Sequence, residues 1–148
     1  MKRTTLAAIA LATLLPISAL AQNGTPGLHF IENWDGDDDG QITLAEATEK
    51  RGDIFYMFDQ DENELLDAEE YKLFDATREE DMQTNAGGQQ NGQMRGVNQG
   101  LMQQYNDANG DGAVSKDEFL ARVPEWFAMM DRNEDGVVTT ADFGRRGG

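Results

Sequence analysis

The chain predicts an all-α fold: two paired lobes of short helices, joined by a flexible linker. Three observations carry this. Four twelve-residue segments, starting at Asp35, Asp59, Asp107 and Asp131, place oxygen-bearing side chains at the same internal positions. The step from Asp35 to Asp59 equals the step from Asp107 to Asp131. Apolar residues stand one and four places before the first acid of a loop: Trp34 and Ile31, Phe58 and Phe55, Met130 and Phe127. That spacing puts each pair on one helix face.

The first loop runs Asp35-Gly36-Asp37-Asp38-Asp39-Gly40-Gln41-Ile42-Thr43-Leu44-Ala45-Glu46 and fits D-x-[DN]-x-[DN]-G-x5-E at every fixed place. On these residues the chain resembles the EF-hand proteins of the calmodulin superfamily, in particular compact bacterial exported ones. The resemblance implies calcium held by six to eight oxygens from positions 1, 3, 5, 7, 9 and 12. In loop one these are Asp35, Asp37, Asp39, the carbonyl of Gln41, a water or hydroxyl near Thr43, and Glu46, with Gly40 supplying the positive φ of the turn. Loop three matches fully too: Asp107, Asn109, Asp111, the Ala113 carbonyl, Ser115 and Glu118, with Gly112 at the turn.

Loops two and four depart from the pattern. Loop two offers Asp59, Asp61, Asn63, the Leu65 carbonyl, Asp67 and Glu70, but Glu64 replaces the turn glycine. A non-glycine residue there costs on the order of 1 kcal/mol. Loop four offers Asp131, Asn133, Asp135, the Val137 carbonyl and Thr139, and ends in Asp142, one methylene shorter than glutamate. A carboxylate binding through one oxygen favours a smaller octahedral ion, Mg²⁺, or weaker Ca²⁺ binding. Asp-, Asn- and Gly-rich segments also serve as plain turns, and full ligand sets set loops one and three apart from that reading.

Between the loops of the first half, Ala47 to Phe58 is expected to fold as two short helices, with Gly52 ending one and Asp53 capping the next. Val123-Pro124 is expected to break the corresponding stretch of the second half. The eighth loop position forms the β-bridge in paired EF hands, so Ile42 is expected opposite Leu66 and Val114 opposite Val138. Tyr71, Phe119 and Phe143, directly after a loop, read as core.

Residues 22–82 and 101–148 thus form the two expected EF-hand pairs. The segment between them, 83–100, holds five Gly, five Gln and three Asn. That composition reads as a coil spanning about 25 Å, with lobes that move independently. Residues 22–82 carry 19 acidic and 4 basic side chains and residues 101–148 carry 9 and 5. The first lobe is therefore expected to be the more expanded without metal.

Composition excludes several functions. The 148-residue chain has a formal net charge of −16, which argues against nucleic acid as a partner. It has one His and no Cys, and the only Ser after Ala21, Ser115, sits inside a loop. A nucleophile–base pair has little to be built from, so the chain reads as no enzyme. His29 reads as a lone imidazole beside Phe30 on a short entering helix.

Two roles stand beside plain calcium buffering. A sensor or adaptor would expose a groove for a protein partner, lined by Met57, Met102, Met129 and Met130 unless these fill the core. A scavenger would take a harder cation. The repeated loop step and the export signal described below resemble lanmodulin, the periplasmic lanthanide-binding EF-hand protein. Lanmodulin loops carry proline at the second position, where this chain has Gly36, Gln60, Ala108 and Arg132, and Asp stands at the ninth position only at Asp67.

Met1-Lys2-Arg3, an apolar run from Leu6 to Leu20 and Ala19-Leu20-Ala21 describe a secretory signal peptide. The run is shorter than the roughly 20 residues of a membrane-spanning helix. Cleavage after Ala21 removes two basic and no acidic side chains. The chain left in the periplasm or outside the cell, Gln22 to Gly148, is then more acidic than the whole. Mass spectrometry of the exported product should find Gln22 at the N-terminus. An intact Met1 on a membrane-bound product would overturn this.

Overall fold

The computed structural model describes residues 25–85 and 94–144. The fold is all-α with two short antiparallel β pairings, and the element bounds follow from the loops. α1 (Leu28–Trp34) leads into loop one, and α2 (Leu44–Phe58) connects loops one and two. β1 (Leu65–Leu66) lies in loop two and α3 (Ala68–Asn85) follows it. α4 (Arg95–Leu101) and α5 (Gln103–Asn106) precede loop three, which holds β2 (Val114–Ser115). α6 (Lys116–Ala121) and α7 (Val123–Met130) connect loops three and four, and α8 (Thr140–Phe143) closes loop four.

The pairing of loops differs from the sequence expectation. Ile42 bridges Val138, with Ile42 N–H donating to the Val138 carbonyl at 2.8 Å and the return bond at 2.9 Å. Leu66 stands opposite Val114 and Leu65 opposite Ser115. Loop one therefore pairs with loop four and loop two with loop three, across the two halves of the sequence.

The cause lies in α2, which is one helix of 15 residues and not two short ones. At 1.5 Å per residue it holds loops one and two about 22 Å apart, whereas bridged strands sit about 5 Å apart. Gly52 does not end it. A mid-helix glycine costs only about 1 kcal/mol, and buried Arg51 and Phe55 on either side anchor the helix to the core. In the second half α6 and α7 follow one another with only Arg122 between them. Its φ −81° and ψ −9° stay helical, so the break at Val123-Pro124 is slight. Pro124 sits in the first turn of α7, where its missing N–H is not needed. Loops three and four are separated as loops one and two are.

The predicted linker is also revised. Residues 86–93 lie outside the described residues, but Gln83 to Asn85 belong to α3 and Arg95–Leu101 is helix. The glycines of α4 serve close packing. A Cβ on Gly100 would lie 1.7 Å from the Trp126 ring, and one on Gly96 would lie 3.4 Å from the Met129 carbonyl. Side chains from four other elements take the carbonyls near the C-terminal end of α4. Trp126 Nε1 donates to Val97 O at 3.1 Å, Arg51 Nη1 to Gly100 O at 3.0 Å, and the Tyr71 hydroxyl to Leu101 O at 2.7 Å. Asn106 Nδ2 donates to Gly100 O at 3.1 Å and to Met102 O at 3.0 Å. The carbonyls of Gly100 and Leu101 are among the orphan groups that a helix end must satisfy.

One apolar core runs through both halves. The residues read as core from their helical spacing are buried, including Ile31, Trp34, Phe55, Phe58, Phe127 and Met130. Tyr71, Phe119 and Phe143 are buried as expected. Phe55 meets Phe119 at 5.9 Å between ring centres, and Trp34 meets Trp126 at 4.9 Å. Each contact joins the first half of the chain to the second, so the expectation of independently moving lobes is not met. Among the described residues no helix is long and apolar enough to cross a membrane.

Two glycine substitutions test this packing by thermal or denaturant unfolding. Gly100→Ala should lower stability by about 1–3 kcal/mol, because the added methyl displaces the buried Trp126. Gly52→Ala meets nothing within 4 Å and lies in a helix interior, so it should raise stability by roughly 0.5–1 kcal/mol. A loss at position 52 would show that the helix is broken there.

Candidate metal centres

The four loops share one backbone path. The residue at position six has positive φ in each: Gly40 at 85°, Glu64 at 64°, Gly112 at 88° and Gly136 at 89°. Position four does the same: Asp38 at 60°, Glu62 at 56°, Gly110 at 74° and Glu134 at 60°. The turn at position six was expected from the sequence. That at position four was not, and its one signal there is the glycine at 110. Glu64 thus adopts the left-handed backbone its position requires.

Hydrogen bonds from the backbone set the carboxylates. The position-six N–H donates to the first acid in every loop: Gly40 to Asp35 at 2.7 Å, Glu64 to Asp59 at 3.0 Å, Gly112 to Asp107 at 3.0 Å and Gly136 to Asp131 at 2.9 Å. The last acid folds back over the loop. Glu46 accepts from Gly36 N–H at 2.9 Å and from Thr43 N–H at 2.8 Å. Glu70 accepts from Gln60 and Asp67, and Glu118 from Asn109 and Ser115. Asp142, though shorter, makes the same closure: Oδ1 accepts from Arg132 N–H at 2.9 Å and Oδ2 from Thr139 N–H at 2.8 Å. It is buried, as are Asp59 and Glu70.

The last acid has a second task. Thr43 Oγ1 accepts from Glu46 N–H while Glu46 accepts from Thr43 N–H, a capping box at the start of α2. Ser115 and Glu118 cap α6 in the same way, and Thr139 and Asp142 cap α8. One carboxylate thereby ties loop closure to the start of the outgoing helix. The [ST]-x-x-[DE] spacing carries this signal in the sequence.

Carboxylate oxygens of Asp35, Asp37 and Asp39 lie within 4.8 Å of one another, and so do those of Asp59, Asp61 and Glu70. Loops three and four hold Asn109 and Asn133 at position three, so each brings fewer charges together. Desolvation pushes Asp35 up, but backbone N–H donors led by Gly40 outweigh it and hold the group below the ordinary carboxylate range. The Thr43 backbone and hydroxyl hold Glu46 below that range as well. The charge of Asp39 pushes Asp37 the other way. Carboxylates converge here with no basic side chain among them, and hard oxygen donors suit a hard divalent cation. The carbonyl-bearing residues Gln41, Leu65, Ala113 and Val137 each lie between the position-six turn and the bridging residue. The residues present fit such an ion.

His29 lies elsewhere, in contact with Asp81 at 3.1 Å, where it links α1 to α3. Arg132 donates to the backbone carbonyls of Asp142 and Gly144, clamping the end of loop four. Nothing in the sequence signals that role for Arg132.

These closed oxygen-lined loops, each flanked by helices, define a class of metal-binding helix–loop–helix protein. Residues 106–123 and 125–145 each match the EF-hand family, and the two matches cover loops three and four. Residues 106–145 are thus similar to two EF hands in succession, and loops one and two repeat their backbone geometry. A search among curated proteins gives no match.

The strain at Glu64 can be isolated from its charge. Calorimetry should show Glu64→Gly binding calcium at loop two about fivefold more tightly than Glu64→Gln, which removes the charge and keeps the side chain. Equal affinities would show that the turn residue does not limit that loop.

Proposed function

We propose that this is an exported calcium-binding protein with up to four sites, acting in the periplasm or outside the cell as a calcium sensor or adaptor. One observation carries the calcium reading: every loop has its last carboxylate folded back onto backbone N–H groups, including the two loops whose sequences depart from the pattern. The proposed ligands are Asp35, Asp37, Asp39, Gln41 and Glu46; Asp59, Asp61, Asn63, Leu65 and Glu70; Asp107, Asn109, Asp111, Ala113 and Glu118; and Asp131, Asn133, Asp135, Val137 and Asp142. Asp142 remains the candidate for a Mg²⁺ preference. The chain gathers these oxygens, a bound cation offsets their mutual repulsion, and the last acid passes loop closure to the helices.

Support for the sensor role comes from α2 and from exposed apolar side chains. A helix capped by the last acid of one loop and ending at the first acid of another moves when either is filled. Tyr56 and Met57 on that helix are exposed, at 57% and 69%. Of the other methionines, Met130 is core and Met102 and Met129 are half-buried. A buffer is the second reading, favoured by the closed core around Trp126 and Phe127.

Dye binding and calorimetry separate the roles. For a sensor, calcium should raise binding of a hydrophobic dye; for a buffer, it should lower it. A scavenger would instead compact with lanthanum at concentrations orders of magnitude below calcium. Glu46→Gln should remove one binding event and lower helix content, since Glu46 also caps α2. Retention of every calcium site in that variant would refute the ligand assignment.

A further inference from the structure

A buried guanidinium occupies the middle of the molecule, and no carboxylate pairs with it among the described residues. Arg51 has no exposed surface, and burial pulls its pKa down to about 10, so it remains charged at neutral pH. Nη1 donates to Gly100 O at 3.0 Å and Nη2 to Asn106 Oδ1 at 2.6 Å. The guanidinium lies over the Phe119 ring at 4.0 Å and near the Trp126 ring at 4.9 Å. A charge this deep is costly unless its position is fixed by hydrogen bonds.

The partners of Arg51 sit at the ends of the loops. Asn106 directly precedes Asp107 and Phe119 directly follows Glu118, so Arg51 touches both ends of loop three. Asn106 Nδ2 also donates to the Tyr71 hydroxyl at 3.0 Å, and Tyr71 directly follows Glu70 of loop two. On the other side Trp126 packs on Trp34 at 4.9 Å, and Trp34 directly precedes Asp35 of loop one. Loops one and three share neither a helix nor a β pairing. Among the described residues, the side chains around Arg51 form a direct connection between them.

We infer that Arg51 is a positioning residue that couples metal filling of loop three to that of loop one, by holding Asn106 and Phe119 on one side and Trp126 on the other. This rests on the calcium reading of the loops. Filling loop three draws its two ends together and fixes Asn106 and Phe119. The guanidinium fork then has a single arrangement, Trp126 is held against it, and Trp34 presents Asp35 in its closed position. With loop three open the fork loses a partner and the core around Trp126 loosens, so loop one binds less tightly.

The test reads each loop by the amide resonance of its turn glycine during a calcium titration of the whole chain. Gly40 reports loop one and Gly112 reports loop three, since each N–H donates to the first acid of its loop. Glu118→Gln disables loop three. In the otherwise unchanged chain it should raise the calcium midpoint at Gly40 about fivefold or more. With Arg51→Met also present, the same change should move the Gly40 midpoint by less than about twofold. Arg51→Lys keeps a buried charge but cannot reach Gly100 and Asn106 as a fork, and it should lose most of the coupling as well.

A merely structural Arg51 gives a different result. Its replacement would weaken every loop alike and leave the effect of Glu118→Gln on Gly40 intact, which would overturn the inference. Full coupling in Arg51→Lys would overturn it too, and that variant decides the matter if Arg51→Met does not fold. Failure of Gly112 to respond to calcium in the unchanged chain would overturn the calcium reading itself. A response at Gly112 with no effect of Glu118→Gln on Gly40 would overturn the coupling alone.

Discussion

The uninterrupted helix α2 is the constraint on which the rest of the structure depends. The stretch between loops one and two can form two short helices and a turn, or one helix shared by both loops. The shared helix places the last acid of loop one in its first turn and the first acid of loop two just past its end. Two loops at opposite ends of a rod cannot bridge one another. Each must find its β partner elsewhere, and the second half, built with the same step between loops, supplies it. The result is a closed cycle. α2 joins loops one and two, β1 and β2 join two and three, α6 and α7 join three and four, and the Ile42–Val138 bridge joins four and one.

Electrostatics favours the same arrangement. Loop one carries a formal charge of −5, loop two −7, and loops three and four −3 each, since Lys116 and Arg132 offset part of their acid. Pairing across the halves gives −8 and −10, where pairing within them would give −12 and −6. The strongest repulsion, between the two most acidic loops, is avoided by holding them about 22 Å apart, well beyond the Debye length of physiological salt. Lys116 stands beside loop two, its backbone N–H donating to Glu64 O at 3.1 Å. Its ammonium meets the Tyr56 hydroxyl, which raises its pKa above the ordinary value, with the charge of Glu64 acting the same way. The contrast in charge between the halves therefore does not describe two separable bodies.

Much of the site is legible in the sequence because each loop is local. The turn at position six and the flanking aromatics are fixed within one loop and the helical turns beside it, and the structure places them as read. The pairing is not legible, because it depends on whether Gly52 ends a helix. Local propensity sets only about 1 kcal/mol against continuity, and tertiary burial of Arg51 and Phe55 decides. The composition of residues 83–100 misleads for a related reason. Gly96 and Gly100 look like flexibility in isolation, yet Gly96 packs against Met129 and the indole of Trp126 leaves no room for a side chain at Gly100. Arg51 gives no signal at all: an arginine beside a glycine reads as solvent-facing until Phe119 and Trp126 are seen to pack on its guanidinium.

The cycle also changes what a degenerate loop means. Loop two bears a strained Glu64 and loop four a shortened Asp142, and each is bridged to a loop with a full ligand set. On the calcium reading proposed for the loops, closure of the full partner would fix one side of the β pairing before the weaker loop binds. Part of the ordering cost that would fall on the weak loop is then already met by its neighbour. Loop four shows how far this goes, since Asp142 reaches the same backbone donors as a glutamate by being buried and drawn in. A loop judged alone by its own sequence is thus judged on half of its determinants, the other half being the loop it bridges and the helix it shares.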